Sequence, residues 1–251
     1  MPKCTTQGVE LNYLDSPGEA GTGPTMIFIH GAGGNGRRWL KQLNALTGCR
    51  GLALDLPGHG LSEGRPCDQV FLYREWVKEF MDAMEIEKAL IAGHSMGGAV
   101  AMDLCAAHPS RVQGLLLVAT GPYFKVHPSR LEAMSRGEYH PQWVRDGFSA
   151  SAPEELIQAF ATERAGDKPD AIYADFLACS RFQARGLEGI RVPTRILCGT
   201  QDINTPPKLS EKLAAQIPGA RLLLAEEAAH QILFERPQVV NGEIAQLVTA
   251  I

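Results

Sequence analysis

Gly93-His94-Ser95-Met96-Gly97 sets one serine between two glycines, and its flanks decide what kind of turn it occupies. Upstream, Lys88-Ala89-Leu90-Ile91-Ala92 is a short apolar run with a charged start and a glycine stop, the pattern of a buried strand. Downstream, Ala99-Val100-Ala101-Met102-Asp103-Leu104-Cys105-Ala106-Ala107 is rich in good helix formers. A strand that becomes a helix within a residue or two strains the turn residue and leaves room only for small neighbours, hence the glycines. The serine hydroxyl is then presented at a helix N-terminus, where backbone N–H groups and the helix dipole favour developing negative charge. Alone, the pentapeptide fits equally a glycine-rich turn whose serine caps a helix. The rest of the chain separates the two readings.

Strand–helix alternation recurs on both sides. Residues 9–14 alternate apolar and polar, as in a half-exposed strand near a sheet edge. Residues 15–24 are rich in Gly, Pro and Ser and read as a turn. The run Thr25-Met26-Ile27-Phe28-Ile29 is continuously apolar, the mark of a strand covered on both faces, and ends in His30-Gly31-Ala32-Gly33-Gly34. A helix is predicted over 37–46, with Trp39, Leu40, Leu43 and Leu46 on one face. The strand at 51–54 leads into Asp55-Leu56-Pro57-Gly58-His59-Gly60-Leu61-Ser62. A helix over 68–84 is expected to turn Phe71, Trp76, Val77, Phe80 and Met84 inward. Further strands follow at 112–119, 194–198 and 220–224, and helices at 206–216 and 237–247. Between the strands at 112–119 and 194–198 the alternation breaks. Short helices near 128–136, 141–148, 153–164 and 169–182 begin at prolines, where a missing N–H is harmless. This insertion reads as a small helical lid on a mostly parallel sheet with helices on both faces.

Composition narrows the class. A chain of 251 residues with 45% hydrophobic and 21% charged residues suits one large α/β domain. A net charge of -4 gives no reason to expect nucleic acid or an anionic membrane as partner. No apolar stretch reaches the length of a membrane span, and residues 1–8 lack the apolar segment of a signal peptide. The six cysteines form no C-x-x-C pair, and Cys105 and Cys198 read as small core residues. A reduced, cytoplasmic protein is the expectation.

Parallel sheets present ligand sites at the carboxyl ends of their strands. The polar groups that follow strands are the 30–34 loop, Asp55, Ser95, Asp202 and His230. A serine, an acid and a histidine after successive later strands supply a nucleophile, an orienting carboxylate and a base. A serine hydroxyl is a poor nucleophile at neutral pH, so His230 must take its proton. Asp202 would hold the imidazole tautomer and stabilise the imidazolium.

In His30-Gly31-Ala32, the Asp55–Ser62 loop, Gly93-His94-Ser95-Met96-Gly97-Gly98, Gly199-Thr200-Gln201-Asp202, and His230 with Glu235 and Pro237, the chain resembles the α/β-hydrolase superfamily over nearly its whole length. The resemblance implies an α/β fold with an eight-stranded, mostly parallel sheet, a core of 1–121 and 190–251, and a helical cap of 122–189. It implies an oxyanion hole from the backbone N–H groups of Ala32 and Met96, and no metal or organic cofactor. Candidate substrate contacts are Gly31, His94, Trp143 and Ile203. Some relatives carry the acid one strand earlier, but Ala119-Thr120-Gly121-Pro122 offers no carboxylate.

Other residues read as support. Asp55 ties down its own loop, His30 orders the oxyanion loop, and His59 and His94 hydrogen-bond locally. Trp39 and Trp76 are core residues, and the Met96 side chain touches the acyl group. Arginines on the cap, Arg130, Arg145 and Arg181, are candidates for a substrate carboxylate, although helix arginines are usually solvated. A serine at 95 excludes the aspartate-nucleophile dehalogenases and epoxide hydrolases. Gln231, where C–C bond hydrolases usually carry Trp, weakens that reading. The expected activity is hydrolysis of a small to medium acyl ester. Enol-lactone and vinylogous diketone cleavage are the alternatives, with a non-catalytic receptor or an acyltransferase or perhydrolase behind them. The expected partner is a small-molecule ester, with neither nucleic acid nor membrane.

Overall fold

The structure is a computed structural model that describes residues 1–16 and 23–251. The middle of the turn expected at 15–24 lies outside the described residues.

Eight strands form one sheet: β1 (Lys3–Thr6), β2 (Val9–Asp15), β3 (Thr25–Ile29), β4 (Arg50–Leu54), β5 (Ala89–His94), β6 (Val112–Val118), β7 (Thr194–Gly199) and β8 (Arg221–Ala225). Their order is β1-β2-β4-β3-β5-β6-β7-β8. The pairs β1–β2 and β2–β4 are antiparallel, and the other five are parallel. After β3 the chain steps one way to β4, then crosses to the other side for β5. That reversal opens a crevice at the carboxyl ends of β3 and β5, where a parallel sheet takes ligands. The register levels these ends, with Ile29 opposite Leu54 on one side and Gly93 on the other.

Strand residues alternate faces, and two apolar layers follow from that period. Ile27, Ile29, Leu52, Leu54, Ile91, Leu115 and Leu117 share one layer with helices α2 (Val70–Ala83), α3 (Met96–Ala107) and α8 (Pro207–Gln216). Met26, Phe28, Ala53, Leu90, Leu116 and Val118 share the other with α1 (Leu40–Leu43), α9 (Ile232–Glu235) and α10 (Pro237–Thr249). Both faces are thereby covered. Between β6 and β7 run α4 (Pro128–Ser135), α5 (Gln142–Arg145), α6 (Glu154–Arg164) and α7 (Pro169–Arg181). A bridge between Tyr123 and Gln183, and Ala184 N–H donating to Pro122 O at 2.8 Å, close the base of this insertion. Among the described residues no helix is long and apolar enough to cross a membrane.

Three local expectations need correction. The helix expected over 37–46 is a 3-10 turn, Gly36–Trp39, followed by the single turn α1. The one over 141–148 shortens to α5. Phe71 is 43% exposed rather than inward, because the buried stripe of α2 runs through Val70, Tyr73, Val77, Phe80 and Met81. One residue along a helix is a rotation of about 100°, enough to leave that stripe. The strand over 9–14 lies near the sheet edge as expected, second from it because β1 covers it. Lys-Cys-Thr-Thr buries only Cys4 and Thr6, too faint an alternation to announce a strand.

Candidate active site

Ser95 lies between β5 and α3 with φ 52° and ψ -116°, a backbone conformation that L residues rarely adopt. Its neighbours explain how the turn closes. A Cβ on Gly93 would stand 2.2 Å from Gly97 O, and one on Gly97 would stand 2.3 Å from Ile29 O. Strand and helix approach too closely for any side chain at either position. Ser95 N–H donates to Val118 O at 2.9 Å, and Thr120 Oγ1 donates to Ser95 O at 2.8 Å, so the strained residue is clamped from β6.

His230 stands in the loop after β8, with Nε2 3.0 Å from Ser95 Oγ and Nδ1 2.9 Å from Asp202 Oδ2. Asp202, after β7, is buried and satisfied. Oδ1 accepts the N–H groups of Asn204 and Thr205, both at 2.8 Å, and Oδ2 accepts Thr205 Oγ1 at 2.8 Å. Burial favours the neutral acid, but the His230 charge and hydrogen bond, with the Thr205 donors, outweigh it and hold the carboxyl below its ordinary range. An ionised Asp202 is acceptor-only, so His230 Nδ1 carries the proton and Nε2 faces the serine as acceptor. His94 Nε2 is 2.9 Å from His230 O. Burial, reinforced by the nearby His230, lowers the His94 pKa to about 3, so it stays neutral and donates to that carbonyl. The local hydrogen bonding expected of His94 is thus corrected: its partner is 136 residues away.

The chain order brought these groups together because each follows a strand of one parallel sheet. The backbone N–H groups of Ala32 and Met96 carry no hydrogen bond among the described residues, and Met96 opens α3, where the first N–H groups lack partners within the helix. His30 fixes the Ala32 loop: its Nδ1 is 2.9 Å from Gly31 O, and its Nε2 accepts Leu56 N–H at 3.2 Å. Burial pulls its pKa well below the ordinary histidine value, which suits this neutral tautomer. Asp55 takes Gly36 N–H at 2.7 Å and Leu61 N–H at 2.9 Å, holding its own loop as expected. Met96 corrects the expectation for its side chain, which is fully buried in the α3 layer and does not line the cavity. As the first helical residue it shares a face with Val100 and Leu104, spaced by four, and that face turns into the core.

A cavity of about 230 Å³ opens in front of Ser95, between the strand ends and the insertion. Gly31, His94, Trp143 and Ile203 all line it, Ile203 at the rim with 65% exposure. Of the cap arginines considered, Arg130 lines the cavity. Arg145 donates to the carbonyls of Phe148 and Ser149, and Arg181 pairs with Asp68 at the surface.

Three further groups position the site; Thr205 and Asp175 escaped the sequence reading, and Glu235 was noted there only as part of the resemblance. Thr205 bonds Asp202 and lies 3.2 Å from His230 Nδ1. Glu235 accepts Ala229 N–H, beside His230, and Ser149 N–H of the insertion, both at 2.9 Å. Asp175, fully buried on α7, accepts Gly33 N–H at 2.7 Å, Tyr73 OH, and a bond from His59 Nε2 at 2.8 Å. His59 therefore reaches 116 residues along the chain, beyond its local bond to Pro57 O, which corrects the expectation of a purely local role. Its signal was present: Asp175 interrupts the stripe Ala171, Ile172, Ala178 and Cys179, and an acid on an inward stripe needs a buried partner.

Residues 26–243 match the model of the alpha/beta hydrolase family. The chain is 28% identical over 267 aligned residues to the dihydrolipoyllysine-residue acetyltransferase component of the acetoin cleaving system of Pseudomonas putida, covering 96% of this chain and 67% of that one. It is 25% identical to the (E)-2-((N-methylformamido)methylene)succinate hydrolase of Acinetobacter baylyi, over 89% of each. Among solved structures, the enol-lactonase from Burkholderia xenovorans LB400 superposes with a TM-score of 0.91 at 25% identity, covering 99% of this chain and 100% of that one.

Proposed function

The chain belongs to the alpha/beta-hydrolase family, and from that premise we propose that it is a serine hydrolase that cleaves carboxylic esters of small to medium acyl chain. The observation that carries this reading is the unbroken relay from Asp202 through His230 to a strained, cavity-facing Ser95, at 2.9 and 3.0 Å.

Ser95 Oγ attacks the ester carbonyl while His230 Nε2 removes its proton. The C=O π electrons move to oxygen, and the N–H groups of Ala32 and Met96 hold that oxyanion. One such donor is worth about 3–4 kcal/mol in the transition state. Collapse breaks the ester C–O bond, and the alcohol leaves with the proton from His230. A water, deprotonated by the same nitrogen, attacks the acyl-serine, and the acid departs as Ser95 regains its hydrogen. Asp202 stays ionised and orients the imidazole throughout. The superposed enol-lactonase favours a second reading on the same relay, in which the ester is an internal enol ester and the leaving oxygen stays tethered to the acyl chain.

Turnover of p-nitrophenyl butyrate by wild type and Ser95→Ala tests the proposal. We expect kcat to fall by about 10⁶. A wild type no faster than the variant would leave a non-catalytic receptor; product partitioning to an added alcohol or peroxide would mark an acyltransferase or perhydrolase.

A further inference from the structure

Among the described residues the cavity in front of Ser95 is lined by four cationic side chains, Arg38, Lys125, Arg130 and Arg164, and by no carboxylate. The chain as a whole is acidic, with a net charge of -4, so this concentration of positive charge is local. Arg38 is already neutralised, with Glu163 at 3.2 Å and Asp167 at 2.8 Å. Arg130 and Arg164 differ. Among the described residues neither guanidinium has an ion pair or a hydrogen bond, and each Nε is buried without a partner.

Both are held in place by aromatic faces. The Arg130 guanidinium, from α4, lies 4.7 Å from the Trp143 ring of α5 and 5.1 Å from the Phe176 ring of α7. Arg164, from α6, lies 5.0 Å from the Tyr139 ring. Stacking fixes the plane of a guanidinium and leaves its edge N–H groups to make bonds elsewhere. Burial pulls the Arg130 ionisation down, Tyr139 and Asp146 act against that, and the like charge of Arg164 adds to it. Two preorganised, partly buried cations in one cavity, with no ion-pair partner among the described residues, are costly unless an anion is supplied. Their forked donors match a carboxylate.

We propose that the substrate carries a carboxylate, bound by Arg130 and Arg164 on the insertion side of the cavity, while Ser95 attacks an ester carbonyl of the same molecule. The carboxylate is a handle and is unchanged by the reaction. This inference rests on the serine-hydrolase reading and narrows it to acidic esters, such as half-esters of dicarboxylic acids.

Monoethyl adipate and ethyl hexanoate differ only by a carboxylate in place of the terminal methyl, so the ratio of their kcat/KM values isolates the handle. The ratio also does not depend on how much of a variant is folded. Wild type is expected to prefer monoethyl adipate by about 10- to 100-fold, the worth of one or two charge-assisted hydrogen bonds. Arg130→Gln and Arg164→Gln should each cut that ratio about tenfold, and Arg130→Lys should cut it less, keeping the charge and losing the fork. A wild-type ratio near one, or a ratio unchanged in both glutamine variants, overturns the proposal. Calorimetric titration of adipate into Ser95→Ala separates the two readings, because binding needs no turnover. If adipate binds, and Arg130→Gln in that background abolishes binding, while neither ester is cleaved by wild type, the carboxylate site stands and the hydrolase reading falls. If both esters are cleaved at equal efficiency and adipate does not bind, the hydrolase reading stands and the site falls.

Discussion

Ser95 holds its hydroxyl in the cavity at the expense of backbone strain of about 1–3 kcal/mol, and the surrounding bonds keep it there. The close approach around it makes a direct prediction. Gly97→Ala places a methyl 2.3 Å from Ile29 O and should lower unfolding free energy by about 1–3 kcal/mol or more in a urea titration. Thr205→Val removes the hydroxyl that shares Asp202 Oδ2 with His230 and keeps the residue's size. Its kcat should fall about tenfold with KM little changed, the scale of one hydrogen bond to a charged group. At this scale Ser95, Asp202 and His230 were legible because each is a reactive residue type directly after a strand. Thr205 was not, because a threonine three residues past an acid reads as an ordinary turn.

Helix α7 reaches from the insertion into the core, with Ala178 and Cys179 in the apolar layer and Asp175 as its buried acid. Asp175 joins it to Gly33 in the 30–34 loop, to His59 and to Tyr73, so the insertion and the loop beside Ala32 are braced by the same carboxylate. For His59, burial alone would lower the pKa, but the Asp175 charge and hydrogen bond, with the Pro57 carbonyl, raise it above the ordinary histidine value. The His59–Asp175 pair then contributes its full stabilisation below the unfolded-state histidine pKa, about 6.5, and loses it as pH rises through the raised folded value. Asp175→Asn should destabilise by about 3–5 kcal/mol at pH 5.5, where His59 is charged, and by less at pH 9. Urea titrations at the two values check this, and a gap that widens with pH would contradict it. The elements were mostly readable because buried strands and proline-led helices leave strong local patterns. The edge strand β1 and the stripe of α2 were not, since packing rather than local pattern decides which faces are covered.

The molecule carries a net charge of -4, and among the described residues the charged groups that line the cavity are all cations. Long-range steering is screened over about 8 Å at physiological ionic strength. Raising salt from 10 to 300 mM should therefore lower kcat/KM for monoethyl adipate by roughly two- to tenfold and leave ethyl hexanoate nearly flat. The mostly parallel sheet with helices on both faces followed from the alternation along the chain, whereas the order of its strands, and so the crevice beside β3 and β5, is set by the crossovers of the folded chain. The lack of an ion-pair partner for Arg130 and Arg164 among the described residues did not follow from that alternation either, because it depends on where carboxylates distant in sequence come to lie in the fold.

Ser95, activated by His230, is predicted to form a covalent bond to its substrate's acyl carbon. A fluorophosphonate mimics that electrophile, and peptide mass spectrometry locates where it lands. One equivalent of label on Ser95 in wild type, with labelling strongly slowed in His230→Ala, is the predicted result. Label on another residue, or ester turnover that persists with Ser95 unlabelled, would contradict it.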